Sequence, residues 1–85
     1  MGSRLIPLVH QPPPGVTLTT VPTIRGRAEA HRWLTEVLGV PVTLNYVRTA
    51  VAKGQLPGTR MSGALLFSTQ GLFDWIMAQY DRDAS

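Results

Sequence analysis

Eighty-five residues make one domain at most, and a chain of this size buries only about 60% of the surface its unfolded form exposes. Without cysteine it has neither a disulfide framework nor a thiolate metal site, and no apolar run approaches the roughly 20 residues of a membrane helix. A formal charge of +3 and a pI near 10.2 favour anionic partners, nucleic acid ahead of a membrane surface.

Residues 1–22 read as a Pro-rich arm. Arg4 precedes a short apolar stretch, Leu5–Val9, but Pro7 interrupts it, which is not a signal peptide and leaves a cytoplasmic protein as the expectation. Leu5, Ile6, Leu8 and Val9 are too apolar for a freely solvated tail, so docking onto the domain or a partner is expected. Pro12–Pro14 favour polyproline II geometry. "VTLTT" (16–20) alternates apolar and polar residues and predicts a short strand.

The domain is placed at residues 23–81. Thr23 is the predicted N-cap of a helix over about 25–38, in which Ala30, Trp33, Leu34, Val37 and Leu38 share one face. Gly26 weakens its first turn and Gly39 suits its C-terminus. After the tight turn "GVPV", Thr43 caps a second helix, "LNYVRTAVAK". Leu44, Val47, Ala50 and Val51 form its inner side, and Asn45, Arg48, Thr49 and Lys53 its outer side. Gly54 ends that helix and Leu56-Pro57 bars continuation.

Two short runs, "GTRM" and "ALLF", flank Ser62-Gly63 and predict a β-hairpin. Ser68 or Thr69 then caps a last helix, "QGLFDWIMAQY", with Leu72, Ile76 and Tyr80 on one face and Phe73 beside them. Residues 82–85 form a solvated tail. The expected class is mainly α with a small β-hairpin: a winged helix-turn-helix of three helices plus a two-stranded wing.

Between Thr23 and Arg60 lie six cations, Arg25, Arg27, Arg32, Arg48, Lys53 and Arg60, against Glu29 and Glu36. That local +4 leaves −1 for the rest of the chain.

Several residues follow a known pattern. Glu29-Ala30 stand in the first helix, Leu38-Gly39-Val40 close it, and Lys53-Gly54-Gln55-Leu56-Pro57 form the corner. From Leu56 the match runs without a gap through Arg60, Gly63, Ser68, Leu72 and Trp75. In these positions the stretch from about Thr23 to Tyr80 resembles the excisionase-like winged helix-turn-helix domains, relatives of the DNA-binding head of MerR regulators. The resemblance implies a DNA-inserted second helix, a wing anchored by Arg60, and an integrase or further copies of the chain as partners. Typical wings of the family are rich in Arg and Trp, whereas "SGALLFST" adds no cation to Arg60.

On this reading Arg48 reads guanine and Asn45 adenine, while Lys53 and Arg60 meet phosphates. Thr43 and Thr49 offer hydroxyls to phosphate, with Thr43 also the helix cap, and Ser62, Arg27 and Arg32 complete the DNA-contacting set. Tyr46 sits at the edge of the buried face, and Trp33 and Trp75 are core. Phe73 and Met77 widen the apolar surface of the last helix and form the expected protein-partner face. His10 and His31 stand in different elements with no second ligand at metal spacing, so no metal is expected. No Ser/His/Asp arrangement, phosphate-cradling glycine loop or close carboxylate pair occurs. The expectation is a non-enzyme without cofactor or small-molecule ligand.

The expected function is a small double-stranded DNA-binding protein, by resemblance a recombination directionality factor. It would bend DNA near attachment sites and direct an integrase toward excision, at the bacterial nucleoid. A phage or prophage transcriptional regulator, Cro- or repressor-like, keeps the fold and changes the task. A protein-interaction module with an apolar wing is the third reading.

Overall fold

One residue turns the first strand directly into the first helix. Gly26 has φ +84°, a left-handed conformation that only glycine adopts at little cost, and it links β1 (Pro22–Arg25) to α1 (Gly26–Arg32) with no loop between them. The computed structural model describes residues 11–84, so the docking expected of Leu5, Ile6, Leu8 and Val9 lies outside the described residues. After α1 the helix widens into one π-helical turn, Trp33–Val37, and then come α2 (Leu44–Ala52), β2 (Thr59–Met61), β3 (Ala64–Ser68) and α3 (Thr69–Ala84).

The winged helix-turn-helix with a two-stranded wing is overturned. The chain forms three helices and a three-stranded antiparallel sheet of order β1-β3-β2. The third strand is the segment whose Thr23 was expected to cap a helix. Thr23 instead lies in extended backbone, and the residue at the N-cap position is Arg25, whose side chain makes no capping bond. Ile24 pairs with Phe67 and packs on the core, while Arg25 pairs with Leu66. Burial of Ile24 beside Phe67 outweighs the capping tendency of one threonine. The hairpin is thereby fastened along β3 on both sides and is not a free wing.

Ser62 and Gly63 both have positive φ, 49° and 76°, the signature of a type I′ turn, whose twist matches two antiparallel strands. Across it Arg60 faces Leu65 and Met61 faces Ala64. Side chains alternate along β3, so Leu65 and Phe67 lie on the helix-packed face and Ala64 and Leu66 on the outer one.

The core joins all parts: Ala30 and Leu34, Val47 and Ala50 from α2, Leu56 from the corner, Phe67 from β3, and Leu72, Trp75 and Ile76 from α3. Trp33 is half-buried against it. The wider π turn displaces the helical face, so Val37, expected inside, is exposed. Thr35 marks that turn, its hydroxyl reaching the carbonyls of His31 (3.1 Å) and Arg32 (3.2 Å). His31 Nε2 donates to the Val42 carbonyl at 2.7 Å and ties α1 to the loop that precedes α2.

"VTLTT" forms no strand. Its Thr19 hydrogen-bonds instead to Thr69 and Gln70 at the start of α3. The last helix is preceded by Ser68, whose Oγ accepts from the Gly71 N–H at 2.9 Å, and it continues to Ala84, into the segment expected as tail.

Candidate nucleic-acid interface

The second helix is closed at both ends by its own sequence. At the start, Thr43 Oγ1 accepts the Tyr46 N–H at 3.1 Å. At the end, Lys53 is the C-cap, and a Schellman motif follows. Gln55 N–H donates to the Ala50 carbonyl at 2.8 Å and Gly54 N–H to that of Val51 at 3.1 Å. Leu56 then enters the core at 2% exposure, and Pro57 leads the chain off toward the sheet. The rigid "KGQLPGTR" corner is thus a helix stop followed by a hydrophobic anchor, with a cation on each side.

Val47 and Ala50 are buried, with α2 packed on α1. Asn45, Arg48 and Thr49 are exposed, and their spacing of three and four residues puts them on one stripe that Lys53 extends by another turn. Tyr46 stays at the edge: its ring lies 5.7 Å from that of Trp75 and its hydroxyl donates to Gln79 Oε1 at 3.4 Å.

The other expected contacts divide. Arg60 is exposed on β2 opposite Leu65, hence on the helix-packed side of the sheet. Ser62 lies with Arg25, Met61 and Leu66 around a shallow hollow on the sheet's outer side. Arg25, which the sequence offered only as one of three arginines able to touch a phosphate from the first helix, stands instead in β1. The signal for its place on the sheet's outer face was the apolar–polar alternation of Ile24-Arg25, hidden beside a plausible helix start. Arg27 is exposed in the first turn of α1.

Arg32 differs from the rest. It pairs with Glu29 at 3.8 Å and Glu36 at 3.3 Å, so the only two carboxylates of the basic middle segment both sit beside it. Among the described residues, Arg25, Arg27, Arg48, Lys53 and Arg60 form no ion pair. The local charge is concentrated on them.

Phe73 departs from expectation. It is 3% exposed and does not belong to a partner-facing surface. Met77 is half-buried and lines a groove with Pro41, Tyr46, Gln79 and Tyr80. No helix among the described residues is long and apolar enough to cross a membrane. No family model, curated protein or solved structure matches the chain.

Proposed function

We propose that the protein binds double-stranded DNA, with the outer stripe of α2 in the major groove. One observation carries the reading: a short helix, capped at both ends by its own residues, buries its apolar side and presents Asn45, Arg48 and Thr49 with no carboxylate paired to Arg48. Arg and Asn are the side chains whose geometry matches guanine and adenine edges. Lys53 and Arg60, on either side of the corner, bind phosphates and fix the register. Arg27 adds a further phosphate contact from α1.

The role follows from the residue pattern between Lys53 and Trp75. It supports an excisionase-like architectural factor at the bacterial nucleoid, which binds beside attachment sites and bends the duplex at a cost on the order of 1–6 kcal/mol. A duplex titration across salt concentrations tests DNA binding. Each neutralised phosphate contributes about −0.9 to the slope of log K against log salt, so several contacts give a slope near −3. Undetectable binding at low salt sinks the proposal. Strong binding to attachment-site DNA without bending, read from permuted-site gel mobility, favours operator recognition over recombination.

A further inference from the structure

An apolar groove lies away from α2's outer stripe. Between the loop after the π turn and the second half of α3 runs a groove of about 280 Å³. Pro41, Tyr46, Met77 and Tyr80 supply its apolar walls, and Gln79 is the polar residue among them. Tyr80 was expected on the core side of α3 but is 65% exposed. Gln79 Oε1 accepts from Tyr46, which leaves the Gln79 amide N–H groups and the Tyr80 hydroxyl as donors at the rim. Flat aromatic walls with a few donors suit one chemistry well: a polyproline segment, which presents rings and carbonyl acceptors and, at its prolines, no N–H.

The same chain carries such a segment. Pro12 leads into a tight turn begun by Pro13 and Pro14, in which the Val16 N–H donates to the Pro13 carbonyl at 3.1 Å. Pro14 and Gly15, the latter at φ +87°, occupy its corner, the arrangement of a type II turn. Pro13 and Pro14 are exposed and Pro12 is half-buried, and none of the three lines the groove of its own chain. The arm behind them is fastened at Thr19 to Thr69 and Gln70, while Met77 and Tyr80 lie roughly 12–17 Å further along α3 at 1.5 Å per residue.

We propose that the groove between Pro41 and Tyr80 receives the triple proline, Pro12–Pro14, of a second copy of this chain. Donor surface and acceptor surface are different patches of one molecule. Such a contact is head-to-tail and extends into open rows instead of closing as a symmetric dimer. The turn at Pro14-Gly15 fixes the segment before it binds, which lowers the entropy lost on docking. The proposal stands apart from the DNA reading and is tested without DNA.

The test is sedimentation equilibrium of the full chain, the Tyr80→Ala variant and the Pro12→Ala/Pro13→Ala/Pro14→Ala variant, with circular dichroism to confirm that each is folded. Wild type is expected to form oligomers that lengthen with concentration, and each variant to lose association at least tenfold. Mixed together, the two variants should form a single 1:1 complex and nothing longer, because one keeps the proline segment and the other keeps the groove. A monomeric wild type overturns the proposal, whether the groove stays empty or takes another partner. So does a variant that associates like wild type, or a mixture that stays monomeric while wild type associates.

Discussion

Thr19 and Thr69 hold each other across fifty positions of chain. The Thr19 N–H donates to Thr69 Oγ1 at 2.8 Å, and the Thr69 hydroxyl reaches back to the Thr19 carbonyl at 3.4 Å. That carbonyl also accepts the Gln70 N–H at 3.1 Å. The first turn of α3 has N–H groups with no partner inside the helix, and the arm supplies one of the missing acceptors. Thr69 is 7% exposed, the one buried polar side chain among the described residues. Thr69→Val keeps the shape and removes the hydroxyl, which leaves the Thr19 N–H without its acceptor. The expected cost is about 1–3 kcal/mol in chemical denaturation, with faster proteolytic cleavage of the arm between Val16 and Val21. An unchanged midpoint would show that the arm adds nothing to the fold.

Phe73 lies one helical turn beyond Thr69, on the flank of α3 beside Leu72 and Ile76. At 3% exposure its ring is packed, so Phe73→Ala should behave as a core deletion and lose about 3–5 kcal/mol. A surface residue would change stability by no more than about 0.5 kcal/mol. Thermal unfolding distinguishes the two outcomes directly.

The elements readable in the sequence are those specified by adjacent residues. Thr43, Gly54 and Pro57 bound α2, and Ser62-Gly63 bounds the hairpin, because capping and turn preferences act within four or five positions. The strand Pro22–Arg25 has no such local mark. It exists because Ile24 finds Phe67 more than forty residues away, and in the sequence its Thr23 passes for a helix cap. Phe73 escaped for a related reason: helical spacing identifies one buried face, whereas α3 is covered on more than one. In the candidate interface the α2 stripe was legible from spacing alone. The neutralisation of Arg32 required knowing which carboxylates it reaches.

Gly26 offers a prediction about backbone alone. A Cβ placed there meets nothing within 4 Å, so no clash contributes. Gly26→Ala should still cost roughly 1–2 kcal/mol, since alanine must hold the left-handed φ of +84° for strand to pass into helix. Gly58→Ala is the steric counterpart, with its Cβ 2.8 Å from Leu65 Cδ1 and 3.0 Å from Phe67 Cε1. Leu65→Ala should relieve part of the second substitution's cost and leave the cost of the first unchanged. Rescue of both would place the penalty at Gly26 in packing instead.

Net charge alone predicts that any one cation of the middle segment can be exchanged for any other, whereas the ion pairs of Arg32 together with the proposed DNA contacts predict three different responses. Arg32→Ala removes a charge already balanced by Glu29 and Glu36, so the salt slope of DNA binding should hardly move. Lys53→Ala removes a cation with no carboxylate partner beside the corner, and the slope should fall by about 1, equally on random and specific duplexes. Arg48→Ala removes the proposed base reader, and on that reading the preference for the specific duplex should relax by about 1–3 kcal/mol. The converse change is as informative. Glu29→Gln with Glu36→Gln leaves Arg32 unpaired and should raise affinity at low salt, more so than at 0.2 M, where screening weakens any surface charge. If all three alanine variants lower affinity and slope alike, binding depends on total charge, and the assignment of distinct roles along α2 fails.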